Sequence, residues 1–278
     1  MLKAEDFFEL REFVHKELFK DTQFVWEALS KLKPYIKSTI TPNIALLRKK
    51  GIMLTKTSVL YKNKIIDKGF KVEYNDAVKG GLKVFLKGKE LKGASVFYAG
   101  AILFDDNISV GEGAVVEPGA LINGPAIIGN NTEVRHGAYI RGNCLVGDRC
   151  VVGHTTEMKN SLMLNDAKAG HFAYIGDSIL GSNVNLGAGT KLANLKLSGS
   201  EIKLKAGEKT YNTGLRKFGA ILGDDVQTGC NTVTNPGAVL GKGCLVYPNT
   251  SVQGIYYPER SVIGGSDRKL KRKRNAAG

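Results

Sequence analysis

The sequence lacks a long apolar run. No uninterrupted apolar stretch among its 278 residues reaches the roughly 18 to 20 residues that a membrane-spanning helix needs. The N-terminal stretch MLKAEDFFELREF carries acidic residues where a secretory signal has its apolar segment. These absences argue against membrane-spanning and secreted classes, and we expect a soluble, cytoplasmic protein with no membrane partner.

Cysteine is scarce and scattered along the chain. The four cysteines, Cys144, Cys150, Cys230 and Cys244, show no CxxC spacing. A zinc knuckle needs such a spacing, and a disulfide framework needs a denser set of cysteines in a shorter secreted chain. We therefore predict free thiols that are buried in the fold.

Acidic residues are outnumbered, with 26 Asp and Glu against 40 Lys and Arg, so the formal net charge is +14. Such an excess is typical of nucleic-acid binding, but also of proteins that bind phosphorylated small molecules or coenzyme A. Much of it lies in a C-terminal tail that we predict to be disordered, and this distribution weakens the nucleic-acid interpretation. The cations of the tail are Arg268, Lys269, Lys271, Arg272, Lys273 and Arg274.

Glycine, in contrast, is abundant, with 34 residues, and this disfavours a helical bundle. Apolar residues recur at helical spacing only near the N-terminus. They predict a helical segment over residues 1–45, with two short helices divided near Asp21 and ended by Pro34 and the STITPN stretch. Residues 46–103 alternate and are rich in β-branched side chains, which predicts a strand-rich entry region.

An internal repeat occupies residues 104–255. Aliphatic residues recur at a constant step of six among small and turn-forming residues, as in VGEGAV and IRGNCL. Each unit forms one short strand and a turn, and three units close a triangular coil of eighteen residues whose aliphatic side chains point inward. The residues at this step are Val110, Val116, Ile122, Ile128, Val134, Ile140, Val146, Val152, Met158 and Leu164, then Leu222, Thr228, Thr234, Leu240, Val246 and Val252.

This repeat predicts a mainly β fold, a parallel β-helix whose first coil is capped by the helical N-terminal segment. The spacing of sixteen between Leu164 and Leu180 predicts a register break within NDAKAGHFAYIGDSIL, at a functional loop. Residues 193–220 are polar and rich in lysine, which predicts an excursion from the prism wall. Residues 256–278 form the predicted basic tail.

Arg141 and Lys159 lie one coil apart, so the repeat places both cations on the same face of neighbouring strands, about 4.8 Å apart. Two stacked cations repel each other unless an anion neutralises them, which favours a phosphate-binding site. The alternative is an exposed pair that a carboxylate bridges, either Glu157 or Asp148. The pattern leaves both interpretations open.

His171 lies inside the predicted register break. An imidazole titrates near neutrality and is the usual base that takes a proton from an amine or hydroxyl nucleophile. Tyr174 and Asn185 carry neutral hydrogen-bonding groups of the kind that orient sugar hydroxyls, and plain surface residues explain them equally well. The glycine-rich residues 185–194 suit an extended ligand such as pantetheine, or ordinary coil turns.

Three histidines raise the alternative of a metal site. His136, His154 and His171 are spaced eighteen and seventeen residues apart, and hexapeptide-repeat carbonic anhydrases bind zinc through histidines at subunit contacts. His136 and His154 share one position of the repeat, whereas His171 falls beyond the predicted register break. We therefore expect no metal site.

The stretch from Arg141 to Val252 resembles the C-terminal acetyltransferase half of the bifunctional glucosamine-1-phosphate acetyltransferase and N-acetylglucosamine-1-phosphate uridyltransferase family. The resemblance rests on the spacing of Arg141 and Lys159 and on EMKNS, KAGHFAYIGDSILG, NVNLGAGT and LGDDVQTGCNTV. It implies a left-handed β-helix, acetyl-CoA as co-substrate, and a homotrimer whose sites lie between subunits.

The resemblance also implies roles for individual residues. The catalytic residues that it implies are His171, as the base, and Asn194, near the acetyl thioester. The implied sugar-phosphate ligands are Arg141, Lys159, Tyr174 and Asn185, and the residues implied to line the acetyl-CoA groove are Ala188 and Cys230.

The chain departs from this family in two places. It has no GxGTRM-type nucleotide loop, so we expect no nucleotidyltransferase activity. After Asn194 the usual Tyr-Asp-Gly and the following lysine are absent, and the lysine-rich segment is similar to archaeal-type sugar-1-phosphate nucleotidyltransferase and acetyltransferase proteins. Lys209, Arg216 and Lys217 are candidates for the missing lysine, and the sequence does not choose among them.

The sequence therefore predicts an acetyl-CoA-dependent N-acetyltransferase of nucleotide-sugar biosynthesis. Its predicted acceptor is an amino-sugar 1-phosphate, either glucosamine-1-phosphate or galactosamine-1-phosphate. One alternative is a non-catalytic sugar-phosphate-binding module that serves a separate nucleotidyltransferase, and another is an acyltransferase for a different acceptor.

Overall fold

The β-helix predicted from the repeat is the main body of the structure. A computed structural model of the chain describes residues 2–49, 51–264 and 271–272. Three largely parallel sheets form the walls of a triangular prism, and each coil passes through wall C, then wall B, then wall A. The predicted fold class, a mainly β chain with a left-handed parallel β-helix and a small helical N-terminal segment, is confirmed.

Short strands build the three walls. Wall A consists of Ile102–Leu103, Leu121–Asn123, Tyr139–Arg141, Glu157–Lys159, Tyr174–Gly176, Lys191–Leu192, Val233–Thr234 and Ser251–Val252. Wall B consists of Ser95–Phe97, Val115–Val116, Glu133–Val134, Val151–His154, Lys168–His171, Asn185–Leu186, Gln227–Thr228, Leu245–Val246 and Ser261–Ile263, with Ser58–Tyr61 and Lys64–Ile66 at one edge and Lys271–Arg272 at the other. Wall C consists of Ile108–Val110, Ala126–Ile128, Cys144–Val146, Leu162–Met163, Ile179–Leu180, Ala220–Leu222, Ala238–Leu240 and Tyr256–Tyr257.

The remaining elements lie outside the prism. The α-helices span Glu27–Thr39 and Ala45–Arg48, and 3-10 turns span Ala4–Asp6, Lys16–Phe19 and Ala77–Lys79. A three-stranded antiparallel sheet consists of Phe70–Glu73, Lys83–Leu86 and Lys89–Glu90, and a hairpin consists of Lys203–Ala206 and Lys209–Asn212. None of the described helices has the length and apolar character that crossing a membrane requires.

The repeated aliphatic residues form the inner core of the prism. Ile122, Ile140 and Met158 pair in register on neighbouring strands of wall A, and all three are fully buried. The other aliphatic residues predicted to point inward belong to the same core cluster, with the exception of Leu164. Stacking of one coil on the next removes these side chains from water, at about 25 cal/mol per Å² of apolar surface.

The register change lies at the corner between walls A and C. The steps from Met158 to Met163 and from Ile175 to Leu180 contain five residues instead of six, because Met163 and Leu180 occupy the inward positions of wall C. The prediction that Leu164 points inward is therefore wrong, and this side chain packs on the outside of wall C. The irregular spacing reflects these short steps, and the stretch forms ordinary coil strands instead of the predicted loop.

Two serine hydroxyls close the shortened corner. Ser161 Oγ donates to the Lys159 carbonyl at 2.7 Å and accepts from the Ser178 amide at 3.0 Å. One coil further, Ser178 Oγ donates to the Gly176 carbonyl at 2.7 Å and accepts from the Ala220 amide at 2.9 Å. Each buried hydroxyl is satisfied as donor and acceptor and links one coil to the next, so the corner closes with one residue fewer.

The N-terminal segment packs along the outside of wall C. Its buried apolar residues share one cluster with the outward side chains of that wall, among them Leu145, Ile179 and Ile221. Most of this segment therefore does not cap the first coil as predicted, and only its last residues do, where the Asn43 side chain bonds the backbone of Val110. Ile44 and Leu47, which follow the long helix, join the inner core instead and close that end of the prism.

Only the second of the two predicted N-terminal helices forms. The region predicted for the first helix contains 3-10 turns instead, and its adjacent residues Phe7 and Phe8 are both buried in the cluster on wall C. Pro34 lies inside the long helix and does not end it as predicted. Leu32 and Ile36 are buried on either side of it, and their packing offsets the missing backbone hydrogen bond.

The entry region covers the first coils of wall B. The Ala77 amide donates to Glu133 Oε1 at 2.7 Å, and Glu133 is buried on the outer face of the wall. Val115 and Val151 occupy equivalent outer positions on neighbouring strands and are buried as well. Further along the same face Asn185 is exposed. Wall B is therefore covered in its first coils and open at the level of Asn185.

The β-helix extends beyond the predicted limits of residues 104 and 255. Ser95–Phe97 pairs in parallel with the next strand of wall B, and Ser261–Ile263 extends the same wall at the other end. A step of five residues from Val252 to Tyr257 interrupts the count of six and hides this last coil from the sequence pattern. Of the predicted basic tail, residues 265–270 and 273–278 lie outside the described residues.

The chain leaves the prism where the wall A strand Lys191–Leu192 ends. The next strand of the prism begins at Ala220. The hairpin within this excursion packs against the N-terminal segment, where Leu204 is buried in the cluster on wall C. An antiparallel bridge between Leu195 and Lys217 closes the neck of the excursion. The excursion therefore begins beside wall A and folds over wall C.

We expect the cluster on wall C to stabilise the fold measurably. Val239→Ala truncates a fully buried side chain between wall C and the N-terminal segment, so the free energy of unfolding falls by about 2 kcal/mol. Val14→Ala, at a side chain that is 76% exposed, is the matched control and changes it by less than about 0.5 kcal/mol. Denaturant unfolding measures both, and equal effects would contradict this packing.

Candidate functional site

The corner between walls B and A carries one side chain from each of several successive coils. His136, His154, His171, Ala188 and Cys230 occupy equivalent positions, and we term this column the histidine corner. Backbone hydrogen bonds join the residue after each one to the carbonyl of the preceding member. The structure thus brings the predicted base and both residues predicted to line the acetyl-CoA groove into one line along the prism.

The histidine corner corrects the predicted position of His171. The rings of His136 and His154 stack with their centroids 5.7 Å apart. His154 pairs in register with His171, because the register change lies at the opposite edge of wall A. Across the part of the chain that the structure describes, no three His, Cys, Asp or Glu side chains are arranged to hold a metal ion.

Two polar groups at the histidine corner remain free of partners within the described chain. The imidazole of His171 is exposed, and no described residue forms a hydrogen bond with it. Gly187, Gly189 and Thr190 donate their amides within the prism, as ordinary coil turns do. The amide of Ala188, which lies between them, has no acceptor among the described residues. The corner therefore offers a free base and a free N–H group.

The opposite edge of wall A carries the two predicted phosphate ligands on neighbouring strands. Arg141 Nη1 donates to Glu157 Oε1 at 2.6 Å, and this hydrogen bond raises the pKa of the guanidinium. The predicted alternative of one carboxylate that bridges both cations is wrong, because Glu157 pairs with Arg141 and not with Lys159. Lys159 Nζ lies 3.8 Å from Asp177 Oδ2. Asp148 is wrong as the bridging carboxylate, because it accepts an amide hydrogen bond at another corner. Each cation therefore has its own carboxylate.

Asp177 joins Lys159, Asn194 and Tyr174 into one network. We term Arg141, Lys159 and Asp177 together the cation edge. The Asn194 side-chain amide donates to Asp177 Oδ2, and the Tyr174 hydroxyl donates to Asn194 Oδ1 at 3.4 Å. Partial burial raises the pKa of Tyr174, and the negative charges of nearby carboxylates add to this effect. The hydroxyl is therefore protonated at neutral pH and acts as a donor.

The structure separates Asn185 from the other predicted sugar ligands. Asn185 is exposed on wall B, in register with Lys168 and Gln227, whereas Tyr174 lies on wall A. Among the candidates for the missing lysine, Lys217 is the one whose backbone bridges the residue after Asn194. Within one chain, the predicted ligands therefore occupy two different walls.

Sequence reasoning missed Asp177 and Asn160. Both lie in the short steps at the corner between walls A and C, in two successive coils, and both have positive φ angles, of +46° and +45°. Asn and Asp adopt this left-handed conformation more readily than other residues that carry a Cβ. The available signal in the sequence was a polar residue at the same corner of two successive coils, each of which has a shortened step.

Comparisons with known proteins match part of this chain. Residues 122–213 match the family described as the GMPPB C-terminal domain. A bifunctional sugar-1-phosphate nucleotidylyltransferase/acetyltransferase from Sulfurisphaera tokodaii is 38% identical over 34% of this chain and 24% of its own length. The bifunctional protein GlmU from Methanococcus aeolicus is 32% identical over 40% of this chain and 28% of its own length. The resemblance predicted from the sequence is confirmed.

The chain spans about a quarter of the length of these curated relatives, 24% and 28% in the two cases. Among solved structures, it is similar to a UDP-N-acetylglucosamine acyltransferase from Campylobacter jejuni. That similarity has a TM-score of 0.45 and 18% identity, and it covers 63% of this chain and 73% of the other.

We expect the four thiols to differ sharply in reactivity. Burial raises the pKa of Cys144 to about 12 and of Cys244 to about 11, and it also raises the pKa of Cys150 well above its usual range. Cys230 is exposed. At pH 8 iodoacetamide labels only Cys230 in the folded protein and all four thiols after denaturation, as mass spectrometry of peptides will show. Labelling of a second cysteine in the folded protein contradicts this burial.

Proposed function

We propose that this protein is an acetyl-CoA-dependent N-acetyltransferase that acts on an amino-sugar 1-phosphate in nucleotide-sugar biosynthesis. Glucosamine-1-phosphate and galactosamine-1-phosphate are the candidate acceptors. The observation that carries the proposal is the histidine corner, where His171, Ala188 and Cys230 form one column beside a wall with two neighbouring cations. The acetyltransferase in the name of the Sulfurisphaera tokodaii relative supports it.

Arg141 and Lys159 bind the sugar phosphate in this proposal. Both cations are partly exposed on adjacent strands, at 42% and 27% of their side chains, so a dianionic phosphate reaches both. Glu157 holds Arg141 in place without the ligand, and an exposed ion pair of this kind is worth little enough to be exchanged for a phosphate. Tyr174, whose hydroxyl is protonated, orients a sugar hydroxyl beside them.

The acetyl transfer takes place at the histidine corner. The free imidazole of His171 takes a proton from the amino group as the amine nitrogen attacks the thioester carbonyl carbon. The new carbon–nitrogen bond forms, the carbon–sulfur bond breaks, and the proton passes from His171 to the sulfur of coenzyme A. The free amide of Ala188, or the side chain of Asn194 from the facing wall of a second subunit, donates to the oxyanion. Ala188 and Cys230 line the groove for the acetyl-CoA.

A homotrimer completes the site in this proposal. The N-terminal segment covers wall C and the entry region covers the first coils of wall B, whereas wall A stays open. Exposed Tyr139 and Val233 lie on that open wall. Asn185 and Tyr174 occupy different walls of one chain, which favours a site assembled from facing walls of two subunits.

A non-catalytic module is the second candidate function. The excursion, which starts after Leu192, carries Asn194 at the cation edge, and its Leu195 and Leu197 are exposed there. If this segment blocks the acetyl-CoA groove of a facing subunit in the trimer, the cation edge still binds sugar phosphate, and the protein serves a separate nucleotidyltransferase instead.

The first test is the release of free thiol from acetyl-CoA with glucosamine-1-phosphate and with galactosamine-1-phosphate. We expect release that requires the amino sugar and that falls by at least about a hundredfold in His171→Ala, because the variant lacks the base. His136→Ala, in the same column two coils away, is the matched control and keeps its activity.

Three results of this assay would decide between the candidates. Unchanged turnover in His171→Ala contradicts the role of the base. No release by the wild type, with calorimetric binding of the sugar phosphate, supports the module. Release with a different acceptor in a wider panel supports an acyltransferase of another specificity.

A second test uses the exposed thiol and does not depend on turnover. If acetyl-CoA binds along the histidine corner, we expect saturating acetyl-CoA to slow the labelling of Cys230 by iodoacetamide at least about tenfold, because bound ligand excludes the reagent. Free glucosamine-1-phosphate, which binds at the cation edge, is the control ligand and leaves the rate unchanged. Equal labelling rates with and without acetyl-CoA contradict the proposed groove.

A further inference from the structure

We propose that Asp177 is a positioning residue for both parts of the site. Its carboxylate balances the charge of Lys159 in the phosphate site and orients the side-chain amide of Asn194 in the acyl-transfer site. The inference rests on the proposed function and names a residue for which that function assigns no role. It follows from the position of Asp177 between Lys159 and Asn194, and from the contacts of its two carboxylate oxygens.

Asp177 is a buried carboxylate that is satisfied almost entirely by side chains of the site. Its side chain is 8% exposed. Oδ1 accepts from the Asn160 side-chain amide at 2.8 Å, and Oδ2 accepts from the Asn194 side-chain amide. A buried carboxylate with two neutral donors and a cation nearby is a costly arrangement that structural needs alone do not require at a corner of a β-helix.

The shortened corner places the carboxylate between two neighbouring coils. The Asp177 amide donates to the Lys159 carbonyl at 3.0 Å, and its carbonyl accepts from the Gly219 amide at 2.9 Å. Asp177 therefore lies above the strand that ends in Lys159 and below the point where the chain returns from the excursion. The Phe218 amide donates to the Asn194 carbonyl at 2.9 Å, which fixes the backbone of Asn194 at the same level.

Asp177 determines which way the amide of Asn194 faces. Its carboxylate accepts from Nδ2, and the Tyr174 hydroxyl donates to Oδ1. A flipped amide would bring Oδ1 against the carboxylate, which only accepts, so Asp177 allows one orientation of the amide. In that orientation one N–H of Asn194 stays available for a thioester oxygen.

Asp177 also lies close to Lys159 without forming a hydrogen bond with it. The distance of 3.8 Å from Nζ to Oδ2 is too long for a hydrogen bond, so the ammonium keeps its donors for an anion. The negative charge nevertheless balances the cation when no phosphate is bound. Arg141, in contrast, forms a hydrogen bond of 2.6 Å with Glu157 and must exchange it for the ligand.

Neutralising Asp177 therefore has opposite consequences for the two subsites. In Asp177→Asn, an amide group replaces one carboxylate oxygen and presents a donor where Asn194 or Asn160 needs an acceptor. Asn194 loses its orientation, which lowers kcat. Lys159 loses its negative neighbour, which strengthens its attraction for phosphate and leaves KM for the sugar phosphate unchanged or lower.

The experiment compares Asp177→Asn with Asp166→Asn. Asp166 is the matched control, because it forms two hydrogen bonds of 2.8 Å with Arg149 at a different corner. We expect kcat of Asp177→Asn to fall about a hundredfold, as misplacement of an acting group does. Calorimetry with glucosamine-1-phosphate then gives a Kd equal to or lower than that of the wild type. Asp166→Asn keeps both values.

If Asp177 has a purely structural role, Asp177→Asn weakens sugar-phosphate binding and lowers kcat together, and that result overturns the inference. An unchanged kcat also overturns it. Asp177→Glu, which keeps the charge but displaces the carboxylate, provides a second measurement if Asp177→Asn does not fold. We expect it to lower kcat and to keep the wild-type Kd, and a weakened Kd overturns the inference.

The failure of the proposed function is a different result. It appears as absence of thiol release by the wild type, and the calorimetric comparison still tests Asp177 in that case. Binding of glucosamine-1-phosphate by Asp177→Asn that is weaker than binding by the wild type then counts against the inference.

Discussion

Each coil of this β-helix relies on its neighbours, because inward side chains are buried only by their counterparts one coil above and below. Because of this stacking, the three walls must stay in register with one another. A coil can be one residue shorter only where additional hydrogen bonds close the corner. Ser161 and Ser178 provide that closure between walls A and C. The same shortened steps carry Asn160 and Asp177, so the core register and the polar network share one structural cause.

Wall A lies between two chemically different edges. Along one edge the histidine corner presents an exposed imidazole and a free backbone amide. Along the other, Arg141 and Lys159 are balanced by separate carboxylates, one of them buried. The strands between them are only two or three residues long, so both edges stay within the reach of one extended ligand lying across the wall. The proposed reaction between a sugar phosphate and a thioester uses both edges.

The layers outside the prism decide which surfaces remain available. The N-terminal segment buries Leu145 and Ile179 on wall C, and the entry region buries Glu133 on wall B. Apolar side chains that would otherwise face water are covered by the same chain on these two surfaces. Wall A receives no such cover along the strands of Tyr139 and Val233, and it is the wall that carries the proposed site.

The sequence by itself determined the prism and the alignment of Arg141 with Lys159, because a period of six is a local property that assigns inward residues such as Ile140 and aligns residues one coil apart. It did not determine the short steps, so the predictions that Leu164 points inward and that His171 lies out of register with His154 were wrong. Hydrogen bonds between coils decide those steps, and they set the network of Asp177. Only the tertiary structure decided that the N-terminal segment covers wall C, because the burial of Phe7 and Phe8 depends on a partner surface far away in sequence.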